Sequence, residues 1–120
     1  MTTTAIGKAL RKLRIDEDER LLDMAKRLEK SSAFVSAVET GKKSPPSGFE
    51  ELVIQTYRLV GEAAEILRSA ADRSRKAFTL EANTTLQRDT AGLMARRMDT
   101  LSEDELHEIL AVLGRKESSK

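Results

Sequence analysis

The sequence predicts an all-α protein, and three observations carry that expectation. Aromatic residues make up 3% of the 120-residue chain, and its runs of Val, Ile and Thr are short, so an extended sheet has little to be built from. Apolar residues recur instead at helical spacing along most of the chain. Between those stripes fall residues that start and stop helices: Ser and Thr caps, glycines and a proline pair.

The first stripe is Ile6, Leu10 and Leu13, with Lys8, Arg11, Lys12 and Arg14 between them and Thr3 or Thr4 placed to cap the start. Asp16-Glu17-Asp18-Glu19 breaks the pattern and reads as a loop whose negative charge favours the N-terminus of the next helix. That helix carries Leu21, Leu22, Met24, Ala25 and Leu28 and is expected to end near Glu29-Lys30. Ser31 and Ser32 are N-cap candidates for a third helix with Ala33, Phe34, Val35, Ala37 and Val38, closed by Gly41 as a left-handed cap. Lys42 to Gly48 is the clearest loop, since Pro45 and Pro46 stop a helix and Gly48 permits a turn. A fourth helix carries Phe49, Leu52, Val53, Thr56 and Tyr57. Gly61 interrupts, and a fifth helix is expected over about residues 62–76 with Ala63, Ile66, Leu67 and Ala70 inward.

Ala77-Phe78-Thr79-Leu80-Glu81 alternates in strand fashion, with Phe78 and Leu80 on one face. It reads either as an extended linker or as a short strand-like segment that pairs with its copy in a second subunit. Two helices follow. One covers about residues 86–100 with Leu86, Leu93, Met94 and Met98 apolar. The other opens with Ser102 and Glu105 in capping-box positions, carries the stripe Leu106, Ile109, Leu110 and Leu113, and is expected to end at Gly114. The implied organisation is a domain over residues 1–76, a helical appendage over 77–114 and a frayed tail over 115–120.

Composition narrows the chemistry. The chain has no cysteine and one histidine, His107, so Cys-ligated zinc, a thiol nucleophile, a His cluster and a His-dependent triad all lack their parts. His107 reads as a surface histidine, and Glu103 and Glu105 sit at a helix start where capping and the helix dipole explain them. No Gly-rich phosphate loop is present. No enzyme, metal or cofactor is expected. No apolar run approaches the ~18 residues of a membrane span, and the start lacks a signal-peptide apolar core, so a cytoplasmic protein without membrane contact is expected. The 21 basic and 20 acidic residues are unevenly spread. Residues 1–47 hold ten basic against seven acidic side chains and residues 79–120 six against eight, which points an anionic partner toward the N-terminal part.

The informative constellation is residues 21–41: a short helix, a tight turn, and a second helix opening at a Ser pair. A helix-turn-helix needs a small residue where its helices cross, and Ala25 occupies such a place. It needs apolar anchors on the second helix, which Val35 and Val38 supply. Its opposite face must be short and polar enough to reach base edges in the major groove, and Ser32, Ala33, Ser36 and Ala37 fall there.

The ordered combination of Leu10-Arg11-Lys12-Leu13-Arg14, then Asp23-Met24-Ala25-Lys26-Arg27-Leu28, then the run from Ser31 through Glu39-Thr40-Gly41-Lys42-Lys43-Ser44-Pro45 resembles the XRE/Cro–repressor family of helix-turn-helix regulators. The resemblance covers about residues 5–60. It implies a five-helix, lambda-repressor-like domain whose partner is double-stranded DNA. Ser31 then corresponds to the cap of the recognition helix, Ser32, Ala33 and Ala37 to base-touching positions with Ser36 beside them, and Thr40, Lys42 and Lys43 to the phosphate-contacting loop. Phe34 either stacks or wedges against DNA or packs against helix 2. Arg14 and Glu39 correspond to a structural salt bridge between helix 1 and the end of the recognition helix.

Two positions depart from the family pattern. Leu21 stands where a Gln is common, and Glu29 stands where a turn glycine is common, which leaves the turn either strained or longer. The base-reading face is small, so phosphate contacts and DNA shape are expected to supply much of the affinity. Outside the motif Lys42 and Lys43 would read as a solvated pair, and Arg96-Arg97 reads as a solvated helix face. The resemblance implies a transcriptional repressor, autoregulatory and phage- or plasmid-like in style, nucleoid-associated when bound to an inverted-repeat operator. One recognition helix reads few base pairs, so a homodimer is expected. Its interface would use the fifth helix, Phe78, Leu80, Leu106, Ile109, Leu110 and Leu113. The alternative is a protein-interaction module, an antitoxin or anti-activator working through the C-terminal helices.

Overall fold

The structure, a computed structural model, describes residues 3–118, and every regular element among them is helical. The elements are α1 (Ala5–Asp16), α2 (Leu21–Leu28), α3 (Ser32–Thr40), α4 (Phe49–Tyr57), α5 (Gly61–Arg73), α6 (Thr85–Arg97) and α7 (Glu103–Ser118), with a 3-10 turn at Met98–Thr100. They fall into two compact units, Met1–Thr79 and Leu80–Lys120.

In the first unit the helix ends are set by local chemistry. Thr4 caps α1, its Oγ1 accepting from the Gly7 amide at 3.1 Å, and Ser31 caps α3, its Oγ accepting from the Phe34 amide at 3.0 Å. At the start of α2 the Asp23 carboxylate accepts from the Arg20 amide at 2.9 Å. Glu29 ends α2 in the left-handed region at φ 58°, ψ 41°, and the Lys30 amide donates to the Ala25 carbonyl at 2.9 Å. The turn to α3 is therefore tight, and Glu29 bears the conformational cost that a glycine would avoid. Gly41, at φ 83°, closes α3.

Five helices surround one core. α1 packs on α3 and α5, α2 on α3 and α4, and α4 on α5. Ile6, Leu10, Met24, Leu28, Val35, Val38 and Val53 are its largest fully buried side chains. Gly7 lets α1 come close to the end of α3: a β-carbon there would collide with the Glu39 carbonyl oxygen and stand 2.8 Å from Thr3 Cγ2.

Several expectations need correction. The acidic stretch is not all loop, because α1 includes Asp16 before Asp18 turns left-handed. In α5 the inward stripe is Ala64, Leu67, Ala70 and Ala71, whereas Ala63 is exposed and Ile66 is 58% exposed. The alanine-rich run fits either register, and packing against α1 and α4 decides. Leu22 also points outward. Residues 77–83 form no strand, since a five-residue segment without a neighbouring backbone has no ladder to join. α6 stops at Arg97, and a 3-10 turn takes up the remaining residues to Thr100. α7 runs through Gly114 to Ser118 rather than stopping there, because a helical glycine costs only about 1 kcal/mol. The rest of the expected frayed tail, residues 119–120, lies outside the described residues.

The second unit is built differently. Thr84 and Gln87 form a capping box at α6, with the Gln87 amide donating to Thr84 Oγ1 at 3.0 Å and Gln87 Oε1 accepting from the Thr84 amide at 3.3 Å. Ser102 and Glu105 do the same at α7. No described side chain of this unit is fully buried. Leu80, Leu86, Leu110 and Leu113 are mostly exposed, and Leu93, Met94, Leu101 and Ile109 line an open apolar crook between α6 and α7.

Candidate nucleic-acid interface

α3 has two faces. Val35, Val38 and Glu39 are buried, while Ala33 is exposed and Ser32, Ser36 and Ala37 are partly exposed on the other side. The outward surface is thus small and carries two hydroxyls. Phe34 is only partly buried, and its ring packs against Phe49 of α4, centroids 5.9 Å apart. The Thr40 hydroxyl donates to the Ser36 carbonyl at 3.0 Å, so it serves α3 itself.

Basic side chains ring this surface. Lys42 and Lys43 are exposed on the loop after α3. Lys43 Nζ lies 5.8 Å and Lys30 Nζ 5.5 Å from the centre of the Phe34 ring, so two cations lie near one aromatic ring. Between α2 and α3 runs an open groove lined in part by Arg20, Lys26, Lys30 and Ser32. Sequence reasoning missed Arg20, Lys26 and Lys30, because basic residues recur throughout residues 8–30 and the turn and crossing between α2 and α3 set which of them edge α3.

Arg14 and Glu39 meet below the surface. Their nearer pair, Arg14 Nη1 and Glu39 Oε2, is in direct contact, and Nη2 donates to Oε1 at 3.3 Å. The side chains are 11% and 6% exposed. Thr4 binds the same helix end, its amide donating to the Glu39 carbonyl at 3.1 Å. The start and the last turns of α1 are therefore both tied to the C-terminus of α3, which fixes the tilt of α3 on the core.

Two further networks hold the site. Arg27 stacks on the Tyr57 ring, 3.9 Å from its centroid, and donates to Glu19 at 2.6 Å, while the Tyr57 hydroxyl donates to the same carboxylate at 2.6 Å. Burial pushes the Glu19 carboxyl up, but the hydrogen bonds from Tyr57 and Arg27 outweigh it and hold the group below its ordinary value. Burial, with the Glu19 bond, raises the Tyr57 phenol. Arg75 reaches from the end of α5 to the carbonyls of Pro45 and Pro46 and to the Glu50 carboxylate, which its guanidinium holds below the usual carboxylate range.

Among the described residues no group of histidines and carboxylates is arranged to hold a metal ion, and no helix is long and apolar enough to cross a membrane. No known protein family, curated protein or solved structure matches the chain.

Proposed function

We propose that this chain is a sequence-specific DNA-binding transcriptional regulator, a dimeric repressor that works by occluding its operator. The observation that carries the reading is the outward surface of α3, small, hydroxyl-bearing and edged by Arg20, Lys26, Lys30, Lys42 and Lys43. In this reading α2 and α3 form the helix-turn-helix of a five-helix domain. An α-helix about 10–12 Å across fits a major groove about 12 Å wide, and small side chains let the backbone of α3 approach the bases. Ser32 and Ser36 then offer hydroxyls to base edges and Ala33 or Ala37 meets a thymine methyl, while the surrounding cations neutralise phosphates. Such contacts discriminate modestly, so DNA shape and a second half-site supply the rest. The exposed leucines of α6 and α7 support assembly of two copies, placing two α3 helices on an inverted repeat.

Fluorescence anisotropy on duplexes from the DNA around the chain's own gene tests this. Lys42→Ala and Lys43→Ala each weaken binding to every duplex and reduce the log–log salt slope by ~0.9. Changes at Ser32 or Ala33 alter which duplex is preferred. Absence of salt-dependent binding at low ionic strength refutes the reading.

A second reading, a protein-interaction module such as an antitoxin or anti-activator, is favoured by the same exposed leucines of the second unit. Capture of a different protein that Leu110→Glu abolishes, with no DNA shift at low salt, would establish it instead.

A further inference from the structure

The loop from Gly41 to Gly48 is held more firmly than a connection between two helices requires. At its start the Lys43 amide donates to the Ala37 carbonyl at 3.1 Å, and at its end the Phe49 amide donates to the Pro46 carbonyl at 3.0 Å. Pro45 is buried while Lys42, Lys43 and Ser44 are exposed. The residue that ties this loop down comes from 30 positions along the chain. Arg75 Nε donates to the Pro45 carbonyl at 2.9 Å and Nη2 to the Pro46 carbonyl at 2.7 Å. The same guanidinium forks onto Glu50 at 3.0 and 2.6 Å, and its side chain is only 10% exposed.

We infer that Arg75 is a positioning residue for DNA binding, holding the Lys42–Lys43 loop in its phosphate-contacting geometry before a duplex arrives. The inference rests on the regulator reading above. Its physical basis is preorganisation: a loop ordered during folding loses no further conformational entropy on binding, whereas a loosened one does. Only a guanidinium serves here, because two successive carbonyls and a carboxylate must be reached at once by donors in a fixed planar fork, and a compact ammonium cannot span them. A neighbouring pair provides the contrast. Arg68 forks onto Glu51 at 2.8 and 3.1 Å, joining the same helices, α4 and α5, with no bond to a loop carbonyl.

The test uses the full chain, a mixed-sequence duplex and anisotropy titrations across salt. Arg75→Lys keeps the charge and is expected to weaken binding about tenfold, with the salt slope falling by about one to two units. Glu50→Gln, which leaves the carbonyl bonds in place, gives a smaller loss of the same kind. Arg68→Gln stays within about twofold of the parent. Amide exchange at Lys43 and Ser44 accelerates in Arg75→Lys while the Leu10 amide in the core is unchanged. A parent chain without salt-dependent binding overturns the regulator reading itself. A parent that binds, with Arg75→Lys keeping the parental slope or Arg68→Gln losing as much, overturns the positioning role alone.

Discussion

Replacing Arg14 by methionine leaves the Glu39 carboxylate in the interior without the guanidinium that satisfies it. Methionine roughly keeps the aliphatic part of the side chain, so the loss is mainly one of charge and hydrogen bonding. The two side chains are 11% and 6% exposed, which puts the pair in the regime where removing one partner costs about 3–5 kcal/mol. A domain of this size is stable by roughly 5–15 kcal/mol in all, so Arg14→Met removes a large part of that margin. Arg68 and Glu51, 41% and 49% exposed, set the opposite scale, and Arg68→Gln leaves the urea midpoint close to that of the parent. Urea titration followed by tyrosine fluorescence reads the first unit selectively, because Tyr57 is the sole tyrosine and the chain has no tryptophan. The double variant Arg14→Met/Glu39→Leu removes the stranded charge and returns to within about 1 kcal/mol of the parent or above it. A single variant that costs less than about 1 kcal/mol, or a double variant no better than the single, refutes the assignment of a buried, mutually dependent pair.

Three other outcomes follow from the same structure. Gly7→Ala destabilises the first unit by about 1–3 kcal/mol despite alanine's higher helix propensity, because the added carbon meets the Glu39 carbonyl; a gain in the urea midpoint would contradict the close approach of α1 and α3. The lowered Glu50 carboxyl makes its bond to Arg75 contribute stability above the unfolded-state value, roughly 4.3, and this contribution is lost as pH falls through the folded-state value. Melting temperatures measured from about pH 6 to about pH 3 therefore drop less steeply for Glu50→Gln than for the parent, and parallel curves would exclude the linkage. Leu110→Glu with Leu113→Glu yields a monomer by light scattering with the Tyr57 transition shifted only by the lost assembly, whereas a parent already monomeric at micromolar concentration removes the dimer from the proposal.

The boundaries of most helices were legible because they depend on residues a few positions apart. Thr4, Ser31, Gly41 and the Ser102–Glu105 box act through bonds to their own neighbours, and such local chemistry is written in order along the chain. The Arg14–Glu39 contact, implied only by the family resemblance, is present in the structure. Glu29 shows where local reasoning stops. The sequence left its turn either strained or longer, and the left-handed backbone at φ 58° shows that it is tight. The register of α5 was not legible either, since the stripe Ala63, Ile66, Leu67 and Ala70 is the more apolar one, yet Ala64 and Ala71 are buried and Ile66 is exposed.

The chain's own sequence determined that it is helical, where the helices begin, and which surface of α3 carries small polar side chains, because propensity, capping and periodicity are properties of short segments. Beyond Lys42 and Lys43, tertiary structure decided which cations edge that surface and what holds its loop. Arg20 and Lys26 reach α3 only through the α2–α3 crossing. Arg75 reaches the Pro45 and Pro46 carbonyls only once α5 has packed beside α4. Contacts between residues 30 apart depend on where whole helices dock, and docking follows from the summed burial of a shared core rather than from any one stretch of sequence.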